Sequence, residues 1–232
     1  MKVLVLVIYS EEVSVYKEHL ECWRKYSRSH PCFDVFFITL SNKVENITLA
    51  NDMLFIPGEE SLKNITYKTV KAFEVFQAFR YDFVLRTNLS SFWIFENLLP
   101  VLETFPKEGL LAGELINGDM VSGAGMFLTW DLCRLLVQTY KHLENYQVIW
   151  PDDARISHFL RELFQVRFLQ TSPSRFDILE NPKKEQFDAI PLNTFHIRVR
   201  VCDEKGDRSL EPQIMNQLYD RFYLKKLNTE HC

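Results

Sequence analysis

The chain has 232 residues, 47% hydrophobic and 25% charged, which suits one or two globular domains and excludes disordered, collagen-like and coiled-coil classes. Lys plus Arg number 27 against 31 Asp plus Glu, a formal charge of −4, so the bulk positive field behind non-specific nucleic-acid binding is lacking. No stretch approaches the roughly 20 apolar residues of a membrane helix. The first apolar run is too short for a secretory signal, and the expectation is a soluble cytoplasmic protein with no nucleic-acid partner and no membrane span.

Val3–Ile8 is a continuous β-rich run too short for a helix, and reads as a fully buried strand. Residues 12–26 place Val13, Tyr16, Leu20 and Trp23 at spacings of three and four, a helical period. Residues 33–40 and 52–56 read as strands, the latter closed by Pro57-Gly58; 62–79 reads as a helix and 82–86 as a fourth strand. This alternation predicts an α/β domain with a mostly parallel, Rossmann-like mixed sheet flanked by helices. Beyond it, 92–105 is expected to be helical and interrupted near Pro100. Strands are expected at 110–114 and 126–129, and helices at 130–142 and 153–163, the last with an acidic first turn as the helix dipole favours. A short strand at 166–169, a loop at 179–192, a strand at 195–201 and a helix at 213–227 complete the reading. No repeat or low-complexity linker appears, so one domain is expected.

Five scattered cysteines (Cys22, Cys32, Cys133, Cys202, Cys232) form no C-x-x-C pair, which points to reduced thiols and to no zinc-site spacing. Sequons at Asn46, Asn64 and Asn88 matter only in a secreted chain.

In an open α/β sheet, ligands bind at the carboxyl ends of the strands. The candidates are therefore Tyr9 and Ser10 after the first strand, and Arg86, Thr87, Asn88 and Ser90 around the end of the fourth. No glycine-rich dinucleotide or P-loop signature follows the first strand. Several later segments carry more information. They are 61–69 (SLKNITYKT), 81–87 (YDFVLRT), 121–131 (VSGAGMFLTWD) and Trp150-Pro151-Asp152-Asp153. In order and spacing these resemble the beta-1,3-glycosyltransferases related to fringe, over about residues 55–160. The resemblance implies a single GT-A domain, 1–90 forming a nucleotide-binding half and 91–232 an acceptor half. It further implies transfer of a monosaccharide from a nucleotide-diphosphate sugar to a hydroxyl of a glycan or glycoprotein. Lacking a membrane stem, such a chain resembles bacterial or large-virus enzymes.

The resemblance assigns donor binding to Tyr9, Ser10, Lys68, Arg86, Thr87, Asn88, Ser90 and His196. It assigns the donor or acceptor floor to Ser122, Gly123, Ala124 and Gly125, and the acceptor base of an inverting transfer to Asp153, with Asp152 orienting it. Read on their own, Pro-Asp-Asp is also a good helix start, and Gly123 and Gly125 also suit a turn needing positive φ. The departure lies at Asn88-Leu89-Ser90, where relatives carry three Asp residues that grip a divalent metal. Asn and Ser supply oxygen without charge, so Mn²⁺ or Mg²⁺ is expected to bind weakly through Asn88, Ser90 or His196, or not at all. Two readings follow: cations such as Arg86, Lys68 or Lys63 meet the diphosphate without metal, or the fold has kept binding and lost catalysis. Arg198 and Arg200 alternate with apolar residues after His196, as on a phosphate-facing strand or a solvated edge. Trp93, Trp130 and Trp150 sit beside these segments as sugar-stacking or core residues.

Overall fold

A computed structural model describes residues 1–27, 30–147, 151–173, 175–202 and 206–224. In chain order the elements are β1 (Val3–Ile8), α1 (Val15–Ser27), β2 (Phe33–Ser41), β3 (Thr48–Ala50), β4 (Met53–Pro57), α2 (Ile65–Phe76), β5 (Phe83–Asn88), β6 (Ser91–Trp93) and α3 (Phe95–Glu103). There follow β7 (Leu111–Ile116), β8 (Met120–Thr129), α4 (Trp130–Gln138), α5 (Tyr140–Glu144), α6 (Asp152–Phe164) and β9 (Phe168–Gln170). The last are β10 (Phe176–Ile178), α7 (Lys184–Asp188), β11 (His196–Val199) and α8 (Glu211–Tyr219). No described helix is long and apolar enough to cross a membrane.

The chain divides into two compact units whose segments interleave in sequence. The first comprises Met1–Glu12, Cys32–Asn88 and Phe105–Thr171 and holds an eight-stranded mixed sheet of order β3-β4-β2-β1-β5-β8-β7-β9. β4, β2, β1 and β5 run parallel, β8 runs antiparallel to β5, and β3 is an antiparallel edge. β1 is central and Val3 to Val7 are fully buried, as an apolar run too short for a helix requires. Leu4 and Leu6 of β1 join a core with Val70, Phe73 and Phe76 of α2, Leu132 and Leu136 of α4, and Ile156, Phe159 and Leu160 of α6. Burying such side chains contributes roughly 1.5–3 kcal/mol each, which is what holds these helices against one sheet face.

The strand order reverses at β1, with β2 on one side and β5 on the other. Ile8 lies beside Asn88 in register, so the carboxyl ends of β1 and β5 open together where such sheets bind ligands. α6 begins after Pro151 with Asp152 and Asp153 in its first turn, where carboxylates favour the helix dipole.

The second unit comprises Val13–Pro31, Leu89–Thr104 and Ser172 onward, with a three-stranded sheet of order β10-β11-β6. Trp23, Tyr26, Phe92 and Phe95 are buried in it, and the Trp23 indole N–H donates to the Leu89 carbonyl at 3.0 Å. Its helices α1 and α8 share a buried polar link. Glu211 Oε2 lies 3.0 Å from His19 Nε2, while Oε1 accepts from the Val201 amide at 3.0 Å.

Several sequence expectations need correction. Residues 91–93 form a strand before α3, and Pro100 sits within α3 without ending it. Strand β8 starts at Met120, earlier than expected, because its glycines pack inside the sheet. The expected helix at 130–142 is two helices separated at Thr139, whose hydroxyl bonds back to the Leu135 carbonyl at 2.7 Å. The expected loop at 179–192 contains α7, held by the Gln186 side chain accepting the Lys183 amide. β3 and β10 were not foreseen, since three-residue strands leave no period to read. The C-terminal helix ends at Tyr219 and Asp220–Leu224 continue in wider π turns; the remainder of the expected helix lies outside the described residues. Cys22, Cys32, Cys133 and Cys202 are free thiols, while Cys232 lies outside the described residues.

Candidate active site

At the carboxyl edge of the first unit, segments far apart in sequence meet. Arg86 leaves β5 with its guanidinium buried. Its Nη2 donates to Asp152 Oδ2 at 2.5 Å, and its Nη1 donates to the Gly123 carbonyl. The Gly123 amide donates in turn to Asp153 Oδ2 at 2.7 Å, while Asp153 Oδ1 accepts the Ala154 amide at 3.0 Å. Arg86, Gly123, Asp152 and Asp153 therefore form one hydrogen-bonded cluster. Asp152 is buried; Asp153 is half-buried and retains access to solvent.

Gly123 leaves no room for a side chain unless a neighbour shifts. A Cβ there would fall 2.2 Å from Arg86 Nη1 and 3.1 Å from the Asp153 carboxylate. The requirement comes from close approach inside a strand, so the alternative of a positive-φ turn at Gly123 is set aside: residues 121–129 are buried and belong to β8. Ser122, Ala124 and Gly125 are its neighbours, with the Thr87 hydroxyl donating to the Ala124 carbonyl at 2.6 Å. Gly125 lies opposite Thr87 in the register, and its carbonyl sits where a Cβ on Gly113 (φ +157°) would be, at 2.4 Å.

A second buried pair lies close by. Lys68 of α2 donates to both Glu60 oxygens, at 2.8 and 2.9 Å, and to the Tyr9 carbonyl at 2.7 Å. Glu60 Oε1 also accepts the Leu40 amide at 2.7 Å and the Thr39 hydroxyl at 3.0 Å. Glu60 joins the end of β2 to α2, and Lys68 carries the link on to the end of β1. Sequence reasoning missed Glu60, although a carboxylate three residues past Pro57 at the end of β4 satisfies the strand-end rule that singled out Tyr9 and Arg86.

The electrostatics follow from burial. Desolvation pulls the Lys68 ammonium below its ordinary value, opposed by Glu60. Burial pushes the Asp152 carboxyl up, and Arg86 opposes that shift while the adjacent Asp153 adds to it. Both cations are thus neutralised by the protein's own carboxylates and are not presented as free charges. The Arg86 Nε is buried and meets no acceptor among the described residues.

Among the other candidates, Tyr9 is buried, while Ser10 is half-buried and its hydroxyl accepts the Glu12 amide at 3.3 Å. Asn88 is half-buried at the end of β5. In the second unit Ser90 is buried, and His196 is stacked on Trp93 with ring centroids 3.9 Å apart. His196 Nε2 lies 3.1 Å from the Ser91 hydroxyl. Burial holds the imidazole well below its usual pKa, helped by Arg175 and Arg198, so His196 is a neutral packed side chain. Trp93 and Trp130 are buried as packing residues; Trp150 lies outside the described residues.

The trio Asn88-Leu89-Ser90 supplies no carboxylate, Leu89 is buried, and Asp152 is committed to Arg86. Among the described residues no cluster of three His, Cys, Asp or Glu side chains is placed to hold a metal ion. A hard divalent cation calls for anionic oxygen ligands, and these residues do not fit one. Comparison with protein-family models and with curated proteins gives no match.

Proposed function

We propose that this chain is a GT-A-type glycosyltransferase that moves a monosaccharide from a nucleotide-diphosphate sugar to a hydroxyl of a glycan or glycoprotein. The observation that carries the reading is the convergence of Arg86, Gly123, Asp152 and Asp153. They come from three of the four segments that resemble the fringe-related enzymes, and they meet at the strand edge where α/β sheets bind ligands. In this reading Asp153 is the base. The residue is half-buried and its carboxylate is oriented by the Gly123 and Ala154 amides, so it can take the acceptor hydroxyl proton as the sugar leaves the diphosphate, with inversion at the anomeric carbon. Asp152 and Arg86 position that turn of α6. Tyr9, Ser10, Thr87 and Asn88 surround the end of β1 and β5 where the nucleotide would sit.

The roles of Lys68 and Arg86 change in this account. They brace the site and are not the primary counter-charge to the diphosphate, since Glu60 and Asp152 already neutralise them. That same observation favours a second reading, a non-catalytic nucleotide- or glycan-binding protein that kept the fold. Donor turnover with a panel of UDP-, GDP- and dTDP-sugars, run in EDTA and again in Mn²⁺, separates the two. Turnover in EDTA supports a transferase that works without metal. Binding without turnover under either condition supports the second reading and removes the first.

A further inference from the structure

Three Lys or Arg residues are buried as whole residues among the described ones: Lys68, Arg86 and Arg155. The first two each meet a carboxylate. Arg155 does not. It is 7% exposed and its Nη2 donates to the Glu144 carbonyl at 2.5 Å; among the described residues its Nε finds no acceptor and no carboxylate lies within ion-pair distance. The carbonyl at the end of the short α5 carries only a partial charge and cannot balance a guanidinium. A buried cation without a counter-charge is costly, because its lost hydration is not repaid by a neighbouring anion. Such a residue is explained when a ligand supplies the missing anion.

Arg155 lines a cleft of 450 Å³ in the first unit, together with Lys63, Asn64, Tyr67, Tyr140 and Glu144, over Leu40, Pro57 and Gly58. Lys63 is exposed and forms no ion pair among the described residues, so the cleft's lining carries two cations against the single Glu144 carboxylate. Tyr67 and Tyr140 are half-buried, their ring centroids 6.2 Å apart, and with Asn64 and Glu144 they offer ring faces and polar groups suited to a polyhydroxylated ring. The cleft is distinct from the cluster around Asp153. Residues 153 and 155 are two positions apart on α6, about 200° around its axis, so Asp153 meets Gly123 while Arg155 turns to Glu144.

We infer that this cleft is a second ligand site, one that binds an acidic saccharide by placing its phosphate or carboxylate on Arg155 and Lys63 and its ring beside Tyr67 and Tyr140. The site lies apart from the proposed transferase centre and does not depend on that reading.

The test is thermal-shift titration of the full chain with inorganic phosphate, glucose 6-phosphate, glucuronate and neutral glucose, on the wild type, Arg155→Met and Lys63→Gln. No nucleotide sugar is used, so this inference and the transferase reading fail separately. The wild type is expected to be stabilised by glucose 6-phosphate or glucuronate, whichever source of the oxyanion fits, and not by glucose at the same concentration. Arg155→Met should fold with an unchanged or higher melting temperature and lose at least roughly tenfold in ligand affinity, one charge-assisted bond's worth. Lys63→Gln, at an exposed position, should weaken binding by a smaller factor and keeps the test alive if Arg155→Met does not fold. No stabilisation by any anion, or stabilisation unchanged in both variants, overturns the site. If neither glucose 6-phosphate nor glucuronate stabilises more than inorganic phosphate, the saccharide assignment is overturned.

Discussion

Arg86 and Asp152, 66 positions apart, form a buried ion pair at 2.5 Å that joins the end of β5 to the first turn of α6. Removing one partner of such a pair leaves an unbalanced charge, at a cost of about 3–5 kcal/mol, whereas replacing both by apolar groups is often far less damaging. Arg86→Met and Asp152→Leu should therefore each lower stability by that order. The double variant should recover a large part of the loss, with a coupling of about 1–3 kcal/mol in a double-mutant cycle by denaturant unfolding. Additive losses would mean that the two side chains do not act as a pair.

Gly123→Ala should cost about 1–3 kcal/mol, the usual penalty for forcing an extra carbon into packed space. The added Cβ would fall 2.2 Å from Arg86 Nη1, so either the guanidinium or the strand has to shift. Because the Gly123 amide also holds Asp153, turnover should fall along with the melting temperature. An Ala variant with wild-type stability would show that β8 is looser at this point than its contacts indicate.

His196 gives the chain a pH dependence of definite sign. Its pKa in the folded protein is depressed by burial and by Arg175 and Arg198, so the folded state favours the neutral ring. Its stabilising contribution is complete above the ordinary histidine value of about 6.5 and is lost as pH falls toward the depressed folded value, by about 1.4 kcal/mol per pH unit for one proton. His196→Phe preserves the stack on Trp93 and should lessen the fall in stability as pH drops below about 6.5 in unfolding titrations. Identical slopes in wild type and variant would place the protonation elsewhere.

The apolar run of β1 and the spaced apolar residues of α2 made the α/β sheet legible in the sequence, because burial on both faces or on one helical stripe leaves a period. The candidate cluster was legible in part. Arg86, Gly123, Asp152 and Asp153 could be singled out from their segments, yet nothing in their spacing says that Arg86 is spoken for by Asp152. An ion pair spanning 66 positions has no local signature. Lys68 and Glu60 are only eight apart, but the bond depends on where the turn after β4 lays the carboxylate, which is a property of the folded loop. His196 was placed among the donor residues by its position late in the chain; its stacking on Trp93 follows from the pairing of β11 with β6, a three-residue strand too short to read. Arg155 drew no attention because an arginine in the first turns of a helix looks solvated until its burial is known.

The most direct measurement is Asp153→Asn, assayed for donor turnover and for nucleotide-sugar binding side by side. The Asn oxygen can still accept the Gly123 amide, though the Ala154 amide loses its acceptor, so the link to β8 is expected to hold while the proposed base is lost. The account predicts turnover reduced by about 10²-fold or more, the range for removing a general base, with donor affinity within a few-fold of wild type. Turnover equal to that of the wild type, with binding intact, would contradict it.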